Sequence, residues 1–493
     1  MSLMVSIPSG SFFFPQYIKS KIALNDISEA EVSYAIKKGI RNAVQYRFLM
    51  VEEHSNEWFY LAKILAEKDK SIAFDLATIY HLEDDTTQAI YWYKQAAFLK
   101  HEKALVELAD LYIAEDELIA AKALLLTQKY DHDALEKLID VVITLGDLKS
   151  LDELLPLIES QQQNTLINDI RQYQISKNYD IHLINQQANN PNQCRNSIQL
   201  FATNLANLHK LDALISNVQQ QPISRYFCFN RPRYISIEQL NCSYDTEKAI
   251  QCNETAWSQL HPEVNTRYLG LMLNKGGANV NNGILYLDEL DDKNVFIHEL
   301  SHLLGFVDEY PLSSHHKICQ KPQTSIFSHN ISVLKPYYEG SRKEVLTILA
   351  KQIPWFDLID KATPLMERVG NKWKIGTPVS YAFNDSQKIG LFEAETCQNN
   401  STQAFKPTKI KTNLRYYEEP FIELYLQLLN KNIDKYSMPS YHYNVAKSLF
   451  KNNKEQLGLQ WLNKALRREM HTAGSIENKN EVTRYNKIKL GEY

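Results

Sequence analysis

Between Gln16 and Leu155 the chain carries no proline, and only Gly39 and Gly146 interrupt it as glycines. Proline blocks a helix interior by removing a backbone donor, and glycine weakens it, so so long a stretch nearly free of both must be mostly helix. The same residues then crowd together: from Pro222 to Pro420 lie 11 of the chain's 16 prolines and 9 of its 15 glycines. That is the punctuation of turns and short strands. At 493 residues the chain is about three times a typical domain. The expected organisation is multidomain: an all-α helical-repeat domain (an α-solenoid) over 1–220, a mixed α+β domain over 221–430 and a C-terminal helical hairpin over 431–493. The Gln- and Asn-rich segment from Gln161 to Asn192 is read as more helix, because Leu166, Ile167, Ile170, Tyr173 and Ile175 recur near helical spacing.

The helical part repeats. Ala77, Ile79 and Tyr80 return 32 residues later as Ala109, Leu111 and Tyr112, and a weaker copy begins near Ala134 and Leu135. Small residues at fixed offsets let paired helices approach closely, while large aromatic residues at others fill the groove of the next pair. Gln88 to Ala97 resembles the second helix of a tetratricopeptide-type repeat, and Tyr443 to Arg467 keeps a related spacing. Repeats of this kind bind a protein partner or hold a neighbouring domain, and the sequence does not say which.

Charge narrows the partners. Against 58 Asp and Glu stand 54 Lys and Arg, which leaves no general basic excess for phosphate backbones, so nucleic acid is not expected as a partner. No window approaches ~18 uninterrupted apolar residues, so no membrane span is expected. The first residues, MSLMVSIPSGSFFFP, lack the basic start of a signal peptide. They read instead as a leader that replaced one. Six cysteines include no C-x-x-C; pairing, of Cys242 with Cys252 for example, would suit an oxidising compartment, and buried free thiols are the alternative. The leaning is towards a periplasmic or secreted protein.

One segment carries chemistry: Asn294 to Tyr310, NVFIHELSHLLGFVDEY. His298 and His302 are four apart, so on a helix both imidazoles lie on one face and can reach a single metal. Glu299 follows the first of them and is placed as general base towards a water acidified by that metal. Asp291, Asp292 or Asn294 could cap the helix start. A helix supplies two ligands where a catalytic zinc site commonly takes three. Gly305 can take the left-handed conformation that turns the chain back. Asp308, six residues past His302, can then close the set. His315 or His316 could stand in its place, and in another arrangement Glu339 or Glu344 would ligate. Upstream, Arg267 to Leu273 and Gly283 to Leu287 read as strands joined by a Gly- and Asn-rich turn, and an edge strand there could bind an extended peptide by strand addition.

The run from His298 to Tyr310 resembles the zinc helix of the IgA-peptidase family of bacterial metallopeptidases, relatives of the metzincins. The likeness extends from about Ser236 to Leu429: Ile389 to Glu393 resembles that family's G-L-F-E-G stretch, and Phe405 to Thr408 its Y-R-P segment. The resemblance implies a metzincin-like fold, Zn²⁺ held by His298, His302 and Asp308, Glu299 as general base, and a protein or peptide substrate. It also implies a turn beneath the metal, for which Thr412 to Tyr416 is the counterpart, with Leu414 where methionine is expected. Leu and Met exchange at little packing cost. Tyr416, two residues on, is then the candidate to donate its hydroxyl to the developing oxyanion, in preference to Tyr417, whose side chain would point the other way in an extended segment. The expected function is a zinc-dependent peptidase. The alternative is a non-catalytic repeat scaffold whose zincin domain is structural or inactive.

Overall fold

The computed structural model describes residues 12–176, 195–245, 248–259, 264–313, 315–382, 388–398, 401–432, 435–471, 483 and 485. The leader expected at the N-terminus, the later part of the Gln- and Asn-rich segment, and Cys194 lie outside the described residues. The chain is an N-terminal helical region followed by a mixed α/β region. It divides into two compact units, one of Met1–Val142 with Glu153–Gln163 and one of Ile143–Asp152 with Asn164–Tyr493.

Eleven described helices, α1 (Phe14–Ala23) to α11 (Asn164–Gln172), occupy the N-terminal region. Consecutive helices pack on one another, as α5 (Lys70–Leu82) does on α6 (Thr86–Phe98) and α6 on α7 (Ala104–Ala114). The 32-residue period has a physical basis in the turns. Asp84, Lys100 and Asp116 adopt positive φ at the ends of three successive helices, and 100 − 84 and 116 − 100 are both 16, half a repeat. Asp69 and Asp85 cap the starts of α5 and α6 by accepting backbone N–H groups of the first turn. Ala73, Ala77, Ala89, Ala96 and Ala104 are fully enclosed where helices meet, with Trp58, Trp92 and Tyr93 between them.

The mixed unit is built on a six-stranded sheet. Its strands are β1 (Ser197–Ala202), β2 (Cys228–Phe229), β3 (Arg233–Tyr234), β6 (Tyr268–Leu273), β7 (Asn279–Asn281) and β8 (Ile284–Asp288). The path runs β2-β1-β6-β8-β7, with β3 also on β1; all pairs are parallel except β7 with β8. β1 and β6 are buried at every position, the mark of a parallel sheet covered on both faces. Leu269, Leu271, Leu273, Ile284 and Tyr286 pack against α16 (Tyr441–Lys451) and α17 (Glu455–His471). Helices α12 (Leu205–Gln219) and α13 (Lys293–Leu303) also pack on this sheet and on each other. The hairpin β4–β5 (Cys242–Asp245, Lys248–Cys252) pairs Cys242 directly opposite Cys252, and the two form a disulfide. β9 (Ser332–Leu334), β13 (Phe392–Gln398) and β14 (Gln403–Lys406) form a smaller sheet in the order β13-β14-β9, stapled to the preceding loop by Cys319–Cys397. β10 (Tyr337–Tyr338), β11 (Met366–Val369) and β12 (Lys372–Ile375) form a third.

Two expected boundaries move. β1 and α12 precede residue 221, yet β1 lies inside the sheet, and Ile198 to Ala202 pair residue by residue with β6. The mixed unit therefore begins well before Pro222. The C-terminal hairpin is no separate domain either, because Tyr441, Tyr443, Leu449, Trp461 and Ala465 share one core with the sheet. Arg267 at the start of β6 reaches Glu469 of α17 at 3.0 Å, both side chains almost fully buried, and this ties the hairpin to the sheet.

Candidate metal centre

Helix α13 begins as the sequence suggests: the Asp292 carboxylate accepts from the N–H groups of Asn294 and Val295 at 2.8 and 3.0 Å. Its apolar residues Phe296, Leu300 and Leu303 are enclosed, so the helix is held rigidly, and His298 and Glu299 are buried with it. The end is fixed by Gly305. With φ at +93°, its N–H donates to His302 O at 3.0 Å, while Phe306 N–H reaches back to Ser301 O at 3.1 Å. A Cβ at Gly305 would stand 2.3 Å from the Tyr436 carbonyl oxygen, so glycine is required for space as well as conformation.

The reversed chain brings Asp308 back over the histidines. Its Oδ1 lies 3.0 Å from His298 Nε2 and 3.1 Å from His302 Nε2, and the two Nε2 atoms are 3.0 Å apart. Both Nδ1 atoms face carbonyl oxygens, of Asn413 at 2.9 Å for His298 and of Phe306 at 3.1 Å for His302. Each ring in its neutral form then carries its proton on Nδ1 and a bare lone pair on Nε2. Three acceptors thus converge on one point, an arrangement that calls for positive charge between them. The pKa directions agree. Although burial disfavours its charge, the imidazoles of His302 and His298 hold the Asp308 carboxyl well below the usual range. Burial pulls His302 down, yet Asp308 outweighs it and raises the ring to about 9. One proton can bridge only one of these pairs, whereas a cation can meet all three. Tetrahedral ligands about 2.0–2.1 Å from zinc stand about 3.3 Å apart, close to the separations here, so the residues fit that ion.

Glu299 is buried, its Oε2 without a hydrogen-bond partner among the described residues. Burial raises its pKa, opposed by His302 and His298. His298, Glu299 and His302 bring their ligand-type atoms within 4.8 Å of one another.

The neighbours of Asp308 hold it in place. Its carbonyl accepts from Thr396 Oγ1 at 2.7 Å, and Val307 exchanges two hydrogen bonds with the Asn330 amide at 3.0 and 2.7 Å. Glu309 is buried, paired with Lys406 Nζ at 2.7 Å and hydrogen-bonded by Asn330 and the Tyr425 hydroxyl. Lys406 belongs to the F-K-P-T segment and Gly390 to the I-G-L-F-E segment, whose N–H donates to Pro407 O at 2.9 Å. Motifs far apart in sequence therefore meet at the loop that carries Asp308. Sequence reasoning missed Glu309 as an anchor, although its place beside Asp308 was visible.

The turn from Thr412 to Tyr416 lies against α13. Asn413 holds His298 through its carbonyl, and its Nδ2 donates to Asn294 O at 3.2 Å and Tyr417 O at 2.9 Å. Leu414 is fully buried, and its carbonyl accepts Glu309 N–H at 2.9 Å. The extended segment on which the choice of Tyr416 over Tyr417 rests is not found. Arg415 and Tyr416 both donate to Thr412 O, so this is a tight turn and strand alternation does not apply. The Tyr416 ring sits under Arg415 and Lys411, at 4.3 and 4.9 Å. Tyr417 instead packs edge-on to His298, ring centres 4.8 Å apart, and Tyr310 stacks on the same imidazole at 6.2 Å. Burial raises both phenols, and Asp308 adds to the shift in each. The other ligand candidates lie elsewhere: His315 and His316 are exposed, Glu339 pairs with Lys372, and Glu344 caps the helix Arg342–Gln352.

Searched against models of known families and against curated proteins, the sequence matches none.

Proposed function

We propose that this chain is a zinc-dependent peptidase resembling the IgA-peptidase family, its mixed unit a metzincin-like domain. One observation supports the reading above the rest: three acceptor atoms of His298, His302 and Asp308 stand 3.0–3.1 Å apart around one point, with the buried carboxylate of Glu299 beside them. His298, His302 and Asp308 would hold the ion. Bound Zn²⁺ would supply Lewis acidity, polarising a peptide carbonyl and lowering the pKa of water towards ~7. Glu299 then takes the proton of the attacking water and delivers it to the leaving amine. Its Oε2 suits that task, because it has no hydrogen-bond partner among the described residues. Tyr417 or Tyr310 would donate a hydroxyl to the oxyanion, in place of Tyr416. β7, the antiparallel edge of the main sheet, would take an extended protein or peptide substrate by strand addition. The disulfides Cys242–Cys252 and Cys319–Cys397 suit a periplasmic or secreted protein, and the helical repeats would engage a protein partner.

The test is cleavage of a denatured protein mixture by the metal-loaded chain. A chelator should abolish it, and Glu299→Gln should lower it by about 10² or more, the scale of a lost general base. Full activity in Glu299→Gln would overturn the assignment. No cleavage under any condition would favour the scaffold reading.

A further inference from the structure

Strand β13 falls out of step with its partner close to the candidate centre. Ala394 and Gln398 pair with the adjacent residues Ala404 and Gln403 of β14, so Glu395, Thr396 and Cys397 face no residue across the ladder. They form a bulge, and a bulge re-aims its side chains at the expense of its strand pairing. Each of the three makes another connection instead. Glu395 pairs with Arg415 of the turn at 2.7 Å, Thr396 Oγ1 donates to the carbonyl of Asp308 at 2.7 Å, and Cys397 is bonded to Cys319.

Two of these connections end on the segment that carries Asp308. Between Gly305 and His316 the described residues form no helix or strand, so no regular ladder fixes where Asp308 stands. Asn330 and Lys406 hold its neighbours Val307 and Glu309, whereas Thr396 holds the backbone of Asp308 itself. Thr396 grips the segment twice, because its own carbonyl accepts the N–H of Leu312 at 3.0 Å. It can do so only if the bulge is held in turn, and the bulge has left its ladder. The disulfide supplies that hold: it joins Cys397, next to Thr396, to Cys319 at the far end of the same segment. Both cysteines are almost fully buried, in a small core against which Val307 and Leu312 pack.

We propose that the bulge Glu395–Cys397, locked by the Cys319–Cys397 disulfide, positions Asp308 as a metal ligand, so that zinc affinity depends on that bond. This role rests on the ligand set of the peptidase reading, but it is read from the metal and not from cleavage. Zinc dissociation constants of the full chain are measured by competition with a chromophoric chelator, with circular dichroism establishing that each variant is folded. Cys319→Ala/Cys397→Ala should bind zinc about tenfold or more weakly, the scale of a lost contact that orients a ligand. Cys242→Ala/Cys252→Ala, which opens the β4–β5 hairpin instead, should bind as wild type does. Thr396→Val keeps the disulfide, removes only the hydroxyl and should weaken zinc in the same direction, while Thr396→Ser should restore it. If the Cys319→Ala/Cys397→Ala chain does not fold, the two Thr396 variants decide alone. Cobalt(II) in place of zinc adds a visible spectrum that reports the ligand set. In Cys319→Ala/Cys397→Ala and in Thr396→Val that spectrum should move towards the one given by Asp308→Ala, whereas a fold merely loosened elsewhere leaves it unchanged. Wild-type zinc affinity in Thr396→Val or in the folded Cys319→Ala/Cys397→Ala chain overturns the role, and so does equal weakening in both disulfide variants. If wild type cleaves in a metal-dependent way while Thr396→Val keeps its zinc affinity, the role is refuted and the peptidase stands. Zinc weakened as expected, with no peptide cut by any chain, upholds the role and refutes the peptidase.

Discussion

In the helical unit the buried contacts are small and local: Ala62, Ala73, Ala77, Ala89 and Ala96 are fully enclosed, each between helices adjacent in sequence. Ion pairs described there, such as Arg47–Glu57 and Lys137–Asp110, leave both partners partly in water. The mixed unit does the opposite. It buries Arg267 with Glu469 and Lys406 with Glu309, partners 202 and 97 residues apart, and it closes a span of 78 residues with Cys319–Cys397. Burying charge costs desolvation that attraction often fails to offset, so such pairs are poor devices for stability alone. Here they fix geometry around the candidate centre: Glu309 adjoins Asp308, and the Arg267 network joins Tyr268, whose hydroxyl donates to Leu303 O at the end of α13. A repeated scaffold needs only close approach, whereas the three-ligand site proposed here would need each loop held in one place.

The comparison can be broken in the mixed unit first. Lys406→Ala strands Glu309 in the interior, and removing one partner of a buried pair costs about 3–5 kcal/mol. Calorimetry should show the mixed unit melting far earlier while a helical transition persists. A single transition that moves as a whole would mean that the two units do not differ in this way.

Acid should act next. Burial holds the enclosed His329 ring down to about 3, well below the 6.5 of a free histidine. The unfolded chain therefore takes up the proton first. The contribution of His329 is complete above pH ~6.5 and is lost as pH falls from there towards 3, a loss of a few kcal/mol at the bottom of that window. Burial lowers His101 of the helical unit in the same direction, but that ring is partly exposed and its share should be smaller. Denaturant midpoints between pH 7 and 4 should fall more steeply for the mixed unit, and His329→Phe should flatten that slope.

Within the mixed unit itself two adjacent tyrosines sharpen the contrast at the smallest scale. Tyr417→Phe removes the hydroxyl of the ring that packs edge-on to His298 and should lower kcat about tenfold with KM little changed. Tyr416→Phe should be nearly silent, since that ring rests under Arg415 and Lys411. The reverse order would restore the assignment made from sequence.

What could be read ahead of the structure was what depends on near neighbours. The helix around His298, its Asp292 cap, the reversal at Gly305 and the period of the helical region all follow from spacings of a few residues or from a repeat. Cys242 and Cys252 were close enough for a hairpin to join them. Harder to see was anything decided by long-range pairing. β1 precedes the proline- and glycine-rich stretch and has no turn signal to assign it to the sheet; only its pairing with β6 does so. The hairpin α16–α17 keeps the spacing of the repeats, and the sequence does not reveal that Trp461 and Tyr443 fill the sheet's own core. Preferring Tyr416 to Tyr417 requires an extended segment, whereas hydrogen bonds to Thr412 O make it a turn.

The most direct measurement is metal content per chain after exhaustive dialysis. The account predicts about one zinc in wild type, retained in Glu299→Gln and in His315→Ala and His316→Ala, and mostly lost in Asp308→Ala, whose Oδ1 stands 3.0 and 3.1 Å from the two Nε2 atoms. Full zinc in Asp308→Ala, or its loss in His315→Ala or His316→Ala, would contradict the ligand set on which the account depends.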